Sequence, residues 1–367
     1  MMKLIKCFLL IFFYSLASCK QNNLVQNGKI VVETAETIPI SHLVEPVVLF
    51  PLETNDSIHI IRSDKLAVIG KDVFTLDEQQ NTLYVFDTVG RYVKKLSRVG
   101  RGPGEYIMLN DFCFDEQTGN VMILDSYSAR IKVYDKEFNY IKEIKLPSGS
   151  INHIQYVNDS LIALYSMSEG MAILYNHLNE EEVENLVISN EEIEFRTPFK
   201  AHSSPFVFYD GEACLLASAR KEIYRITPDG FKSKYTFSFG ENEGDPFSIE
   251  IPDGRDITSL VAFNRKMNEL KEVYAITFYN ETEEFIYLSY NNFSNNYYNK
   301  KSGLWMKIDG IIAFNVRYNN SLYGLSSLQS LKYAKENGYI KISDEQWSKV
   351  LALSEDSNPI LLSYKLK

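Results

Sequence analysis

The chain has 367 residues, 45% of them hydrophobic, with 48 Asp and Glu against 38 Lys and Arg for a formal net charge of −10. That is enough apolar material for one large core or two ordinary ones, and an acidic balance repels a phosphate backbone, so no nucleic-acid partner is expected. There is no CxxC pair, EF-hand loop, Gly-Lys-Ser/Thr phosphate loop or Gly-x-Ser-x-Gly elbow, and His42, His59, His153, His177 and His202 lie at no ligand spacing; no catalytic residue, metal ligand or cofactor is assigned from the sequence.

The N-terminus opens with Lys3 and Lys6, an uninterrupted apolar run from Phe8 to Tyr14, and then Leu16-Ala17-Ser18-Cys19. A basic start, a short apolar core and small residues before a cut describe a signal peptide over residues 1–18. The run is well short of the roughly 20 residues a membrane span needs. A buried N-terminal helix is the bland alternative, but no polar residue breaks the run at helical spacing. Leu-Ala-Ser-Cys resembles the lipobox of bacterial lipoproteins, which implies that Cys19 is lipidated and becomes the first mature residue; a secreted protein cut without lipidation is the other alternative. Removing the two lysines of residues 1–18 leaves 36 basic against 48 acidic residues. Residues 20–30 are polar, residues 19–40 read as a lipid-anchored tether, and residues 41–367 as a single domain. The expected place is the bacterial cell envelope, with the membrane contacted through the N-terminal lipid. No acidic residue directly follows Cys19, which favours the periplasmic side over the cell surface.

Beyond the tether the pattern is strand after strand: VEPVVLF, KLAVIG, DVFTLD, TLYVFD, NVMILD and RIKVYD are short β-branched and aromatic runs between Asp, Asn and Gly turns. The strands repeat. Leu76, Asp77, Leu83, Phe86 and Asp87 align with Leu124, Asp125, Ile131, Tyr134 and Asp135. LIALYSMSEGMAILYN, CLLASARKEIYRITPDG and VYAITFYNETEEFIYLSY read as third, fourth and fifth copies. A recurring four-stranded meander of this length is the mark of a β-propeller blade, because one sheet cannot bury both of its faces alone. Length alone allows six or seven blades. VEPVVLFPLE and NPILLSYKLK, near the two ends, are both strands and are expected to complete one blade together. Between them, SLQSLKYAKENG reads as a helix stopped by Asn-Gly, and SDEQWSKVLALSED starts on a capping-box pattern at Ser343 and Gln346.

GRGPGEYIMLNDFCFDEQTGNVMILDSYSARIKVYD resembles an NHL-type propeller repeat. Phe50 to Thr54, the Arg98 to Tyr106 stretch with its Gly-Pro-Gly-Glu-Tyr, the helical insertion, and Asp356-Ser357-Asn358-Pro359 together resemble the six-bladed β-propeller lipoproteins of Bacteroidetes. The resemblance spans about residues 40–367. It implies an all-β propeller of six four-stranded blades with a short helical insertion near the C-terminus, and an envelope compartment, more than an activity.

The strongest local motif is RVGRGPGEY. Arg98 and Arg101, completed by Glu105 and Tyr106, are candidates to bind a carboxylate or sulfate; a plain connector between blades is the alternative. Asp125 and Arg130 are further ligand-binding candidates, against a strand-end ion pair or Asx turn. Ser289 to Lys300 could stack on sugars or form a blade hairpin. Acidic NEEEVENL and SNEEIEF read as solvated loops, and Cys113 and Cys214 as buried hydrophobes, a disulfide between them remaining open. The expected function is a non-enzymatic binding module for a glycan, peptide or protein ligand. The alternative is an envelope lyase or hydrolase whose site, metal-dependent or not, is assembled from several blades. Perturbed carboxylates or histidines around the channel would favour the enzyme, and a broad aromatic face the binder.

Overall fold

The computed structural model describes residues 25–26, 28–33, 36–115, 117–188, 204–209, 212–245, 258, 262, 271–290, 294–309 and 316–367. They form six sheets, each built on four antiparallel strands. From the innermost strand outwards, blade 1 is Lys65–Ile69, Asp72–Asp77, Thr82–Asp87 and Tyr92–Leu96, and blade 2 is Asp111–Asp115, Asn120–Asp125, Arg130–Tyr134 and Tyr140–Lys145. Blade 3 is His153–Tyr156, Leu161–Ser166, Met171–Asn176 and Glu181–Val187; blade 4 is Phe206–Tyr209, Glu212–Ala217, Glu222–Thr227 and Gly230–Ser238. Blade 5 is Ile276–Glu281, Phe285–Tyr290, Ser294–Asn299 and Leu304–Asp309. Blade 6 takes Val316–Tyr318, Ser321–Ser326 and Ile360–Lys365 from the C-terminal end and Val48–Pro51 from the N-terminal end. The chain is thus a six-bladed propeller, clasped where Leu361 pairs with Phe50 and Leu362 with Leu49.

The near-continuous apolar strands of the sequence follow from this stacking. On the second strand of blade 2, Val121 and Ile123 pack into the core shared with blade 1, while Met122 and Leu124 enter the core shared with blade 3. Successive side chains point to opposite faces, and here both faces are buried, so the run does not alternate with polar residues. The aligned positions of the repeat pair with one another, Leu76 with Leu83 and Leu124 with Ile131. In blades 1 to 4 the recognised copies are second and third strands, whereas the fifth copy supplies the first and second strands of blade 5, a shift of one strand.

The repeated aspartates are capping groups. Buried Asp77 accepts the amides of Ile61 at 2.7 Å and Gln80 at 3.0 Å, and Asp125 those of Ile107 at 2.9 Å and Ser128 at 3.2 Å. Each carboxylate therefore ties the lead-in of its own innermost strand to the turn behind it. Asp87 and Asp135 close the next turn by accepting the amides of Val89 and Glu137, the Asx geometry that lets a short acid replace a backbone acceptor.

Two segments within the expected tether are strands. Lys29–Val31 runs parallel to Thr236–Ser238 on the outer edge of blade 4, and Thr37–Pro39 parallel to Lys307–Asp309 on that of blade 5. Ile30 is fully buried beside Phe237, and Trp305 Nε1 donates to the Val31 carbonyl at 2.9 Å. These residues strap two neighbouring blades.

The helical insertion is α1, Leu328–Glu336, and α2, Asp344–Leu351. Ser327 and Ser343 cap them by accepting the amides of Ser330 and Gln346. Gln346 does not complete a reciprocal box: its Oε1 accepts the Leu49 amide of the clasping strand at 3.1 Å. Glu181–Val187, expected as a loop, is instead the outermost strand of blade 3; an exposed edge of acids hinders pairing with another chain. SNEEIEF lies outside the described residues. Cys113 and Cys214 are free and sit in separate cores, where burial pushes their thiols up to about 12 and about 11.

Candidate functional site: the central channel

The six innermost strands surround a cavity of about 1180 Å³ that every blade helps to line. Its walls are mostly aromatic and aliphatic. Phe74 and Phe112 each meet Phe114 edge-on, with ring centroids 4.7 and 5.5 Å apart. Phe278, Tyr279 and Tyr318 continue the lining across blades 5 and 6. A large concave apolar site with a few placed polar groups is the usual form of a ligand pocket.

The polar groups concentrate where the innermost strands of blades 1 to 3 begin. Their first residues are Lys65, Asp111 and His153. Lys65 Nζ donates to Asp111 Oδ1 at 2.7 Å and to the Phe112 carbonyl at 2.6 Å, and lies 5.1 Å from the centre of the Phe112 ring. Asp111 Oδ2 accepts the Ile154 amide at 2.9 Å and lies 3.4 Å from His153 Nδ1. One buried carboxylate therefore joins three blades. Burial by itself would push Asp111 up; the Lys65 ammonium and His153 outweigh it and hold the carboxyl below its ordinary range.

A second cluster precedes the blade 1 strand. Asp64 is paired with Arg62 and accepts the Glu78 amide at 2.9 Å, while Arg62 Nη2 stands 3.7 Å from Glu78 Oε2. Burial and the neighbouring Asp64 charge push the Glu78 carboxyl up to about 7, against the pull of Arg62.

Next to blade 4, buried Glu281 receives Lys234 at 2.7 Å and the Tyr235 hydroxyl at 2.9 Å, together with Lys300 and Tyr279. Its backbone carbonyl accepts from Arg317 Nη1 at 3.1 Å, which fixes a guanidinium on the channel wall. Among the described residues, no group of three or more His, Cys, Asp or Glu side chains is placed to hold a metal ion.

None of the six ligand-binding candidates taken from the sequence is among the residues that line the channel. Arg98, Arg101, Glu105 and Tyr106 lie in the connection between blades 1 and 2. Glu105 Oε2 accepts the Gly102 amide at 2.7 Å, folding the carboxylate back over its own loop. Buried Tyr106 accepts the Arg98 amide at 3.0 Å and donates to the Asn81 carbonyl at 2.9 Å. The Arg98 guanidinium lies 5.8 Å over the Tyr134 ring, and Tyr134 donates to the Gly104 carbonyl at 2.9 Å. Arg101 is exposed. Arg130 Nε stands 3.5 Å from Glu143 rather than pairing with Asp125. These contacts hold the connection between blades 1 and 2 in place. Tyr297 and Tyr298, weighed as sugar-stacking residues, are buried in inter-blade cores.

Lys65, Asp111, His153 and Arg317 were not singled out in the sequence. The available signal was positional: in three successive blades the innermost strand starts on an ionisable residue. It emerges only once each strand's rank in its blade is known.

A family model described as a domain of unknown function, DUF4934, matches residues 25–365. No curated protein matches the chain significantly. Among solved structures, one described as an exported protein from Bacteroides fragilis is similar at 18% identity with a TM-score of 0.69, covering 92% of this chain and 99% of its own. A member of the DUF4221 family from Bacteroides vulgatus is similar at 10% identity with a TM-score of 0.52, covering 89% of this chain and 98% of its own. At these identities the likeness is one of fold.

Proposed function

The chain belongs to the DUF4934 family, and from its six-bladed architecture we propose that it is an envelope-located, non-enzymatic binding module whose central channel takes the ligand. The observation that carries this reading is the cavity of about 1180 Å³ lined from all six blades, with a mainly apolar wall that also carries charged and amide side chains. Asp111 and Asp64, at and just before the starts of the innermost strands of blades 2 and 1, are engaged by cations and backbone amides, which suits a pre-formed pocket. A solved structure of the same fold is described as exported, in keeping with a signal peptide over residues 1–18; lipidation at Cys19 and a periplasm-facing domain complete the proposal.

Two experiments test the reading. Ligand that binds only the folded state raises the melting temperature, so a panel of glycans, peptides and amphiphiles should contain compounds that shift the native protein but not Ala67→Phe, which narrows the channel. Shifts that survive Ala67→Phe would place binding elsewhere. Labelling with a radioactive fatty acid should disappear in Cys19→Ser; unchanged labelling would refute the anchor.

A second reading, a multi-blade lyase or hydrolase, is favoured by two observations. Glu78 lines the channel with its carboxyl pushed up to about 7. His153 lines the channel with Asp111 behind its Nδ1, the arrangement that orients an imidazole for proton transfer. Ligand consumption by the native protein and not by His153→Gln would put this reading first.

A further inference from the structure

Resting on the channel as the binding site, we propose that its ligand is an amphipathic organic anion: an apolar body lying along the channel and a carboxylate-type head held at the Lys65 end.

The argument starts from which charges the wall presents. Four side chains of the Asp, Glu, His, Lys and Arg types on described innermost strands line the cavity: Lys65, Asp115, His153 and Arg317. Three are basic. The acid, Asp115, is 5% exposed; it accepts the Gln117 amide at 3.0 Å and the Thr118 hydroxyl, so its charge caps the turn beyond its strand. Asp111, 1% exposed, gives one oxygen to Lys65 and the other to the Ile154 amide. Asp64 and Glu78 stand before and behind the blade 1 strand, with Arg62 between them. On the innermost strands, then, bases outnumber acids, while Asp64, Asp72 and Glu78 reach the cavity from the lead-in, second strand and turn of blade 1.

Lys65 is the group best placed to meet a head group. Its ammonium carries three N–H donors, and two are directed at acceptors among the described residues. A carboxylate oxygen completes the set with a charge-assisted bond. Arg317, on the blade 6 strand packed beside that of blade 1, brings a second fixed cation to the same wall.

The apolar body follows from strand periodicity. Side chains two apart share a face, so Ala67 and Ile69 continue the stripe that Lys65 begins, and all three are half-buried channel residues. Phe112 and Phe114 form the parallel stripe of blade 2. The five residues of the blade 1 strand span roughly 16 Å, room for a chain of about ten carbons. A sugar would find few hydrogen-bonding groups along these stripes, and an ammonium head would meet Lys65 and Arg317 as like charges.

The test is calorimetric titration of the full chain with decanoate, decanol and decylammonium below their micellar concentrations. The expected order is decanoate tightest, at least tenfold tighter than decanol, with decylammonium weakest. Lys65→Met should cost decanoate about tenfold while leaving decanol within twofold. That variant leaves Asp111 without its cation, so Arg317→Gln is run beside it with the same expectation; an unchanged decanol affinity shows an intact channel. Equal affinity for the three heads, or a preference for the ammonium, overturns the anion while sparing the channel. Saturable binding of none of them, in a protein that melts cooperatively, overturns both.

Discussion

Asn358 Oδ1 accepts the Ile60 amide at 2.7 Å, joining residues 298 positions apart in the chain. The same side chain donates to the carbonyls of Glu53 at 2.6 Å and Ile58 at 2.9 Å, and the Asn358 amide donates to Thr54 Oγ1 at 2.8 Å. Asn358 is 1% exposed and knots the last connection of blade 6 to the lead-in of blade 1. Asn358→Ala would strand several buried polar groups and should cost roughly 3 kcal/mol, read as a lower urea midpoint at constant slope. A loss below about 0.5 kcal/mol, the usual range of a bland surface change, would contradict this role.

Truncation after Asp356 removes Ile360–Lys365, which pairs on one side with Ser321–Ser326 and on the other with Val48–Pro51. The ring would open and the apolar faces of blade 6 would meet water. The shortened chain should not give a cooperative melt; one as cooperative and stable as the parent would disprove closure by both ends.

The Lys65–Asp111 pair should behave as a coupled unit. Asp111→Asn leaves Lys65 without its counter-charge and should cost roughly 3 kcal/mol, since breaking a buried pair strands the surviving ion. A double-mutant cycle with Lys65→Met should give a coupling on the order of 2 kcal/mol; additive losses would show that the pair is incidental. Because Asp111 is held below its ordinary value, the unfolded chain takes up its proton first as pH falls. Its contribution is present at neutral pH and fades in the acid range, so Asp111→Asn should flatten that limb.

Glu78 should show the opposite sign. Its carboxyl is raised from an ordinary 4.5 to about 7, so the folded state holds the proton more tightly than the unfolded one. Its contribution is complete below about 4.5 and is lost as pH rises towards about 7. Glu78→Gln should therefore gain on the parent over that window, modestly because the side chain is 38% exposed. Parallel stability curves from pH 4.5 to 7 would refute the shift.

Gly104 tests the connector reading of the Gly-Pro-Gly-Glu-Tyr loop. Its φ is +71°, and an added Cβ would lie 2.7 Å from the Tyr140 Cβ and Cγ atoms. Gly104→Ala should cost about 2 kcal/mol or more through backbone strain and the clash, without altering ligand binding in the channel. A stable variant with impaired binding would restore the loop as a ligand site.

The propeller was legible because each blade repeats a local solution. Asp77 and Asp125 cap the same turn in the same way, and local chemistry leaves a local pattern. The channel was not, because each blade contributes a few side chains from one strand and nothing in KLAVIG or DFCF marks it as innermost. The glycines and charges of RVGRGPGEY are ambiguous for a similar reason: a tight connector and a binding loop use the same residue types, and the turn of Glu105 onto the Gly102 amide is a contact that no spacing in the sequence announces. The strap over blades 4 and 5 left no mark longer than three residues.

That strap also sets where the proposed anchor would join the ring. Six peptide steps separate Cys19 from Val25, where the described chain begins by pairing with Lys29–Val31 beside blade 4. With the lipid at Cys19 as proposed, those steps would span at most roughly 21 Å, and the anchor would join the ring at its outer edge beside blade 4 rather than at the channel.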